Sequence, residues 1–171
     1  SEEGRLDTLR ERLAIQGVDA NIRNRAGKTP LLLALDKGRL NTVRELLAVE
    51  GIDVNATDEQ GRTALLVALD KGRLNIVREL LAVECIDVSA ADKDGRTALL
   101  LALGKGRLDV VRKLLAFKTV DANVSNKDGK TALLLALDKG DLDIVSELLA
   151  VETIDVNATD EQGRTALLVA L

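Results

Sequence analysis

Apolar residues occur along the chain in two kinds of run, separated by polar segments that contain glycine. The first kind is short and almost continuously apolar, as in Ala64–Leu69, and is typical of a helix buried on most sides. The second kind, as in Leu74–Val83, is amphipathic because its apolar residues keep helical spacing. Its predicted apolar face consists of Leu74, Val77, Leu80 and Leu81. We therefore predict an all-α chain made of paired short helices.

The pattern returns every 34 residues, marked by a Gly-Lys-Thr or Gly-Arg-Thr triplet. The triplet begins at Gly27, Gly61, Gly95, Gly129 and Gly163. A fixed period of this size indicates a stacked repeat protein, since helices this short are marginal alone and must bury a shared apolar layer. We expect a single domain over residues 1–171. Its predicted parts are a partial unit at 1–23, complete units at 24–57, 58–91, 92–125 and 126–159, and a partial unit at 160–171.

Each triplet lies where a turn should give way to a helix. Asp58 and Gly61 are preferred first and fourth residues of a type I turn, and Thr63 suits the helix N-cap. Pro30, the sole proline, falls at a first helical position, where its missing N–H costs nothing. Gly72 suits the left-handed conformation that ends many helices. The triplet therefore marks a structural boundary in each repeat.

The triplet Gly27-Lys28-Thr29 also invites comparison with a phosphate-binding loop. That motif needs another glycine five residues before its Gly-Lys pair. Ile22 and Val124 occupy this position in the two copies that contain Gly-Lys. We therefore expect no nucleotide, and the sequence indicates no other cofactor.

The repeated residues resemble those of ankyrin repeats over essentially the whole chain. The matching strings are Asp58-x-x-Gly61-x-Thr63-Ala64-Leu65-Leu66-x-Ala68, then Gly72-x-Leu74-x-Ile76-Val77-x-x-Leu80-Leu81, and Ile-Asp-Val-Asn-Ala at 52–56 and 154–158. The resemblance implies an all-α ankyrin-repeat solenoid of stacked helix-turn-helix units with protruding turns. It also implies a non-catalytic scaffold that binds a protein partner with the concave face of the stack.

Two departures from the ankyrin pattern predict local differences. Leucine replaces the family's histidine, so apolar packing should replace a polar hydrogen bond between repeats. The positions are Leu32, Leu66, Leu100, Leu134 and Leu168. The period is 34 residues, one more than is usual in the family, and the additional residue falls between Leu81 and Asp87. We expect either a longer second helix or a one-residue bulge there.

The residue inventory argues against catalysis and metal binding. Without His or Tyr, the proton-transfer groups reduce to carboxylates and lysines. Cys85 is the only cysteine, and no histidine exists to activate it as a nucleophile or to join it in a metal site. A lone cysteine favours a reducing, intracellular setting such as the cytoplasm, and the short apolar runs predict no membrane span.

Recognition by stacked repeats is expected from the protruding turns and from the exposed side of the first helices. We therefore predict that charged residues of the turns contact another protein. The predicted contact residues are Arg25, Lys28, Glu59, Arg62, Lys93, Arg96, Lys127 and Lys130.

An oligonucleotide is an alternative partner. A column of cations at the loop between the paired helices could bind its phosphates, namely Lys37, Lys71, Lys105 and Lys139. The net charge of −4 and the presence of Phe117 as the only aromatic residue disfavour nucleic acid. These lysines would otherwise complement the negative ends of the first helices.

A further alternative is an engineered or recently amplified repeat scaffold with no evolved partner. Ile52–Leu69 and Ile154–Leu171 are identical in sequence. Selection for different contacts in each repeat would have separated them.

The two ends of the chain differ in polarity. Gly4–Leu6 aligns with Gly38–Leu40, which predicts a second-type helix over Leu6–Ile15 with many charged residues. Ala166–Leu171 contains no polar side chain. We therefore expect head-to-tail self-association through the C-terminal segment, or fraying of its last residues in a monomer.

Overall fold

The computed structural model describes residues 2–13, 15 and 18–171, which form helices joined by turns. The helices are α1 (Glu2–Leu13), α2 (Pro30–Asp36), α3 (Leu40–Leu47), α4 (Ala64–Asp70), α5 (Leu74–Leu80), α6 (Ala98–Gly104), α7 (Leu108–Leu115), α8 (Ala132–Lys139), α9 (Leu142–Leu149) and α10 (Ala166–Val169). Within this part of the chain the extended pairing is limited to an isolated antiparallel bridge between Ala91 and Thr97. The predicted all-α fold is confirmed. No helix in the described ranges has both the length and the apolar character needed to cross a membrane.

The apolar helices begin and end as the sequence predicts. Thr63 is the N-cap of α4, and its hydroxyl accepts a hydrogen bond from the N–H of Leu66 (3.4 Å). Pro30 is the first residue of α2. After α4, Gly72 has φ of +66°, and its N–H donates to the Leu69 carbonyl (3.0 Å). These caps satisfy backbone groups that so short a helix leaves without partners.

The amphipathic helices end earlier than expected. α5 stops at Leu80 instead of continuing to Val83, and two successive turns follow. The N–H of Val83 donates to the Leu80 carbonyl (3.1 Å), and the N–H of Ile86 donates to the Val83 carbonyl (3.2 Å). The longer-helix expectation is therefore wrong, because the additional residue of each repeat lies in these turns, which bring Ile86 into the core. The same turns recur at Leu46–Val49–Ile52, Leu114–Phe117–Val120 and Leu148–Val151–Ile154.

The buried side of α5 also differs from the predicted apolar face. Ile76, Val77 and Leu80 are at most 2% exposed, whereas Leu74 and Leu81 are only half-buried. Leu74 opens the helix and Leu81 follows its end, so both lie at the edge of the core. Ile76, which the spacing argument omitted, takes their place in the interior.

Leucine at the family's histidine position packs into the core as expected. Leu66 is 1% exposed, and Leu32, Leu100 and Leu134 are likewise buried. At these four positions the predicted apolar packing is confirmed. Leu168, in α10, is 57% exposed.

The chain divides into two compact units, Ser1–Asp87 and Val88–Leu171. In the first unit, α2 packs against α3 and α4, while α3 packs against both α1 and α5. In the second unit, α8 packs against α6, α9 and α10, and α7 packs against α9. First helices thus stack on first helices and second helices on second helices within each unit. The single domain and the repeat boundaries given above stay predictions.

The N-terminal helix, α1, begins earlier than predicted. α1 starts at Glu2 instead of Leu6 and ends at Leu13, while Ile15 lies in a bend and is 59% exposed. Ala14, which the prediction placed inside the helix, lies outside the described residues.

Candidate functional site

Each protruding turn is closed by the side chain of its own first residue. At Asp58, Oδ1 accepts hydrogen bonds from the backbone N–H groups of Gln60 and Arg62, both at 3.0 Å. The backbone contributes a further bond from the N–H of Gly61 to the Asp58 carbonyl (2.9 Å). The equivalent side-chain bonds occur at Asn24, Asp92, Asn126 and Asp160. The predicted turn is therefore present, held by side-chain bonds that the turn preference alone did not specify.

In three turns the first residue is Asp, and an arginine four residues later pairs with it. The guanidinium of Arg62 donates from Nε and Nη2 to Asp58 Oδ2 at 2.9 and 2.7 Å. Burial by itself raises the pKa of Asp58, but the hydrogen bonds from Arg62 outweigh it, so the pKa lies below its ordinary value. The same pairing joins Arg96 to Asp92 and Arg164 to Asp160.

In the other two turns the first residue is Asn, and the basic residue is lysine. The neutral amide of Asn24 offers no charge, and the ammonium of Lys28 pairs instead with Asp36 at the end of α2. Lys130 pairs with Asp138 in the same way. Burial by itself raises the pKa of Asp36, but the hydrogen bonds and positive charges of Lys28 and Lys71 together outweigh it, so the pKa of Asp36 is lowered. The chain therefore combines Asp with Arg and Asn with Lys at these positions.

The predicted contact residues thus fall into two groups. Four of them, which we call the turn-base cations, are partly buried and pair with carboxylates of their own repeat: Lys28, Arg62, Arg96 and Lys130. The other four occupy the second position of each turn and are exposed; we call them the second-position residues: Arg25, Glu59, Lys93 and Lys127. Arg25, Glu59 and Lys93 form no ion pair within the described part of the chain. The turn-base cations are thus engaged within their own repeats, and Lys127 pairs with Asp94 of the preceding turn, whereas Arg25, Glu59 and Lys93 have no such partner. That these positions contact another protein stays a prediction.

Consecutive turns of the second unit lie against each other. A Cβ atom on Gly129, which has φ of +72°, would lie 2.8 Å from the backbone nitrogen of Glu161. The N–H of Lys127 donates to the Asp94 carbonyl (3.0 Å), and its ammonium donates to Asp94 Oδ1 (2.8 Å). The hydrogen bond from Lys127 lowers the pKa of Asp94. Neighbouring turns are therefore held in register, which fixes the spacing of their exposed side chains.

The comparisons with known proteins agree with this arrangement of paired helices and stacked turns. A family model described as ankyrin repeats, in three copies, matches residues 1–91, 49–123 and 113–171. The chain belongs to the ankyrin repeat family. Its fold is similar to the crystal structure of an ankyrin repeat domain from Acinetobacter baumannii AYE, with a TM-score of 0.84 and 29% identity over 99% of this chain and 86% of that chain. The ankyrin repeat protein EF0377 gives a TM-score of 0.82 and 27% identity over 99% of this chain and 87% of that chain. No curated protein matches the sequence.

Membership of this family gives the broad class of function. Ankyrin repeats are generally protein-interaction scaffolds and are typically non-catalytic. The described residues contain no group of three or more His, Cys, Asp or Glu side chains that could hold a metal ion. Cys85 is an exposed free thiol. The absence of catalysis in this particular ankyrin chain stays a prediction.

The first helices of the middle repeats do not offer the exposed side that was expected. Every residue of Ala64–Leu69 in α4 and of Ala98–Leu103 in α6 is buried. Val67 and Leu101, at the fourth position of these helices, are 2% and 7% exposed. In α2 and α8 the same position is only half-buried, at Leu33 and Leu135. The expectation was wrong for α4 and α6, because apolar residues all round a short helix leave it without a polar surface.

A row of asparagine side chains, which the sequence reasoning missed, links the loops of successive ankyrin repeats. Asn55 donates from Nδ2 to the Cys85 carbonyl (2.7 Å) and accepts at Oδ1 from the N–H of Asp87 (2.8 Å). Asn21 and Asn123 make the same two bonds, and we call the three together the asparagine ladder. At the equivalent position, Ser89 donates to the Thr119 carbonyl (2.6 Å). The recurring Asn two residues after an Asp was the available signal for this ladder.

Proposed function

We propose that this ankyrin chain binds another protein through the second-position residues Arg25, Glu59, Lys93 and Lys127. The observation that carries the proposal is the contrast between a constant turn and a variable side chain. The first residue of each turn is always Asp or Asn, and the fourth is always Gly. The second residue changes in charge from Arg to Glu to Lys, and it is exposed in each of these turns. A fixed framework with changing exposed charges suits specific recognition.

The turn-base cations would act indirectly in this function. Arg62 holds Asp58, and Lys28 holds Asp36, so both are already engaged within the protein. Transfer of either cation to a partner would break an internal ion pair. Their contribution is to keep the turn rigid, which reduces the ordering cost when a partner binds.

The test is a capture experiment in a reducing cell lysate with three forms of the protein. The first is the unmodified chain, and the second carries Ala at Arg25, Glu59, Lys93 and Lys127. The third is a control with Ala at Glu50, Glu84 and Glu152, which are exposed in the turns after the second helices and not in the protruding turns. We expect one set of proteins to be captured by the first and third forms and lost from the second. Equal capture by all three would contradict the proposed surface.

A second candidate is association with another copy of the same chain through α10. This helix has no buried residue, and Leu167, Leu168 and Leu171 are 71%, 57% and 96% exposed. Apolar surface of this kind favours association because burial removes it from water. The double substitution Leu168→Lys and Val169→Glu should abolish concentration-dependent sedimentation while helicity is retained. A strictly monomeric unmodified protein at high concentration would exclude this candidate.

The oligonucleotide alternative has less support. Lys71 lies 3.4 Å from Asp36, and Lys139 donates to the Gly104 carbonyl, so two members of the lysine column have partners within the protein. Binding of single-stranded RNA that weakens steeply with salt and disappears on substitution of the column would favour it. The engineered or amplified origin and the intracellular setting stay predictions, the former resting on the identity of Ile52–Leu69 with Ile154–Leu171.

A further inference from the structure

The helix pair formed by α6 and α7 has a charge distribution that the others lack. Residues 104–118 hold five Lys and Arg side chains against one Asp, whereas residues 36–50 and 70–84 each hold three cations and three carboxylates. The difference arises because Gly104, Lys113 and Lys118 replace acidic residues. In the other repeats the position of Gly104 holds Asp36, Asp70 and Asp138. The position of Lys113 holds Glu45, Glu79 and Glu147, and the position of Lys118 holds Glu50, Glu84 and Glu152. Three independent losses of negative charge therefore fall in one repeat.

One of these replacements removes a side chain that is paired elsewhere. Glu79 accepts a hydrogen bond from Arg44 at 2.6 Å, and Glu147 accepts one from Arg112 at 2.7 Å. Lysine at position 113 cannot accept such a bond, since an ammonium group has only donors. At position 113 the repeat therefore has an additional exposed cation in place of a glutamate that pairs with an arginine in other repeats.

Three cations of this repeat are exposed and have no ion pair within the described residues; we call Arg107, Lys113 and Lys118 the α7 basic surface. Arg107 is the N-cap residue of α7, Lys113 lies on its exposed side, and Lys118 follows shortly after its end. The eight residues of α7 extend over about 12 Å. An extended peptide, at about 3.3 Å per residue, would cover that length with roughly four or five residues. The opposite side of α7 is fixed in the core by Val110, Val111 and Leu114.

We propose that the α7 basic surface binds an acidic segment of a partner protein, in which several carboxylates lie within about five residues. Charge complementarity supports this occupant, because the three cations have no ion pair within the described residues. α7 holds Lys113, and Arg107 and Lys118 lie just before its start and after its end. A nucleic acid strand is less well matched, since single-strand binding relies on aromatic stacking and Phe117 is half-buried. This surface lies at a second helix and the residues that flank it, so it is distinct from the second-position residues of the turns and does not depend on them.

The test uses the full chain and a fluorescein-labelled decapeptide of alternating Glu and Ser, followed by fluorescence anisotropy at low salt. Lys113→Glu combined with Lys118→Glu restores the residues found in the other repeats and should weaken binding at least about tenfold. The reciprocal variant, Glu79→Lys with Glu84→Lys, should strengthen binding by creating a similar surface on α5. Circular dichroism of each variant establishes that helicity is unchanged.

Two further measurements separate this proposal from its rivals. The form with Ala at Arg25, Glu59, Lys93 and Lys127 should bind the decapeptide as tightly as the unmodified chain does. The proposal for the turns and the proposal for the α7 basic surface can therefore be refuted independently of each other. A labelled ten-nucleotide thymidine strand should bind more weakly than the peptide. Equal peptide binding by the unmodified chain and the Lys113→Glu, Lys118→Glu variant would overturn the proposal. So would tighter binding of the nucleotide strand.

Discussion

Completion of the asparagine ladder at position 89 should stabilise the protein. Asn123 donates to the Thr153 carbonyl (2.7 Å) and accepts from the N–H of Asp155 (2.8 Å), whereas the shorter side chain of Ser89 donates to the Thr119 carbonyl (2.6 Å). In Ser89→Asn, the new amide can donate to the Thr119 carbonyl and accept from the N–H of Asp121. One additional neutral hydrogen bond in a partly exposed loop contributes about 1 kcal/mol, equivalent to a rise of about 2–4 °C in Tm for a chain of this size.

The assay is urea denaturation followed by circular dichroism at 222 nm, with thermal unfolding as a second measure. Asn123→Ser is the matched control, because it converts a complete rung of the ladder into the form found at Ser89. It should lose about as much stability as Ser89→Asn gains. Midpoints are compared instead of extrapolated free energies, since repeat arrays need not unfold in a single step. If Asn123→Ser costs nothing and Ser89→Asn gains nothing, the ladder does not stabilise the fold.

Two other predictions concern single carboxylates. Because the pKa of Asp58 is lowered in the folded protein, its stabilising effect is present above the ordinary carboxyl pKa and is lost as pH falls through the lowered value. The Asp58→Asn variant should therefore be less stable than the unmodified chain near neutral pH. In an acid titration followed by circular dichroism, it should lose less stability than the unmodified chain. An identical acid response of the two proteins would contradict the role of Asp58. Asp141 caps α9 by accepting from the N–H of Ile144 (3.2 Å), whereas Arg107, the N-cap residue of α7, makes no such side-chain bond. Asp141→Ala should cost about 1 kcal/mol in urea denaturation, and Arg107→Ala should show no cap-related loss.

Local signals in the sequence predicted the repeat and the starts of its apolar helices, but they did not predict where the second helices end. Thr63 and Gly72 were readable because capping depends on one residue and its near neighbours. The turns after Leu80 contain no glycine or proline at their centre, so spacing alone continued the helix through Val83. The end of the helix depends on the burial of Ile86, which is a property of the packed structure and not of the local sequence.

The candidate surface was predicted only in part for a similar reason. Exposure of Glu59 follows from its place in a polar turn, but the partner of Arg62 depends on which carboxylate lies within its reach. The combination of Asp58 with Arg62, and of Asn24 with Lys28, was visible in the sequence, but it does not show that Lys28 pairs with Asp36 instead of with its own turn. Pairwise side-chain geometry was the missing information.

The asparagine ladder has a consequence for how such a chain can change by recombination. Each rung ends on main-chain atoms, and the carbonyl acceptors belong to residues as different as Gly51, Cys85 and Thr153. Because a carbonyl is the same in every residue, a rung does not require a particular side chain in the repeat that follows. As far as these bonds are concerned, whole repeats can therefore be duplicated, deleted or reordered without a matching second substitution. The ladder is an interchangeable part of each joint, which favours new arrays that arise by copying single units.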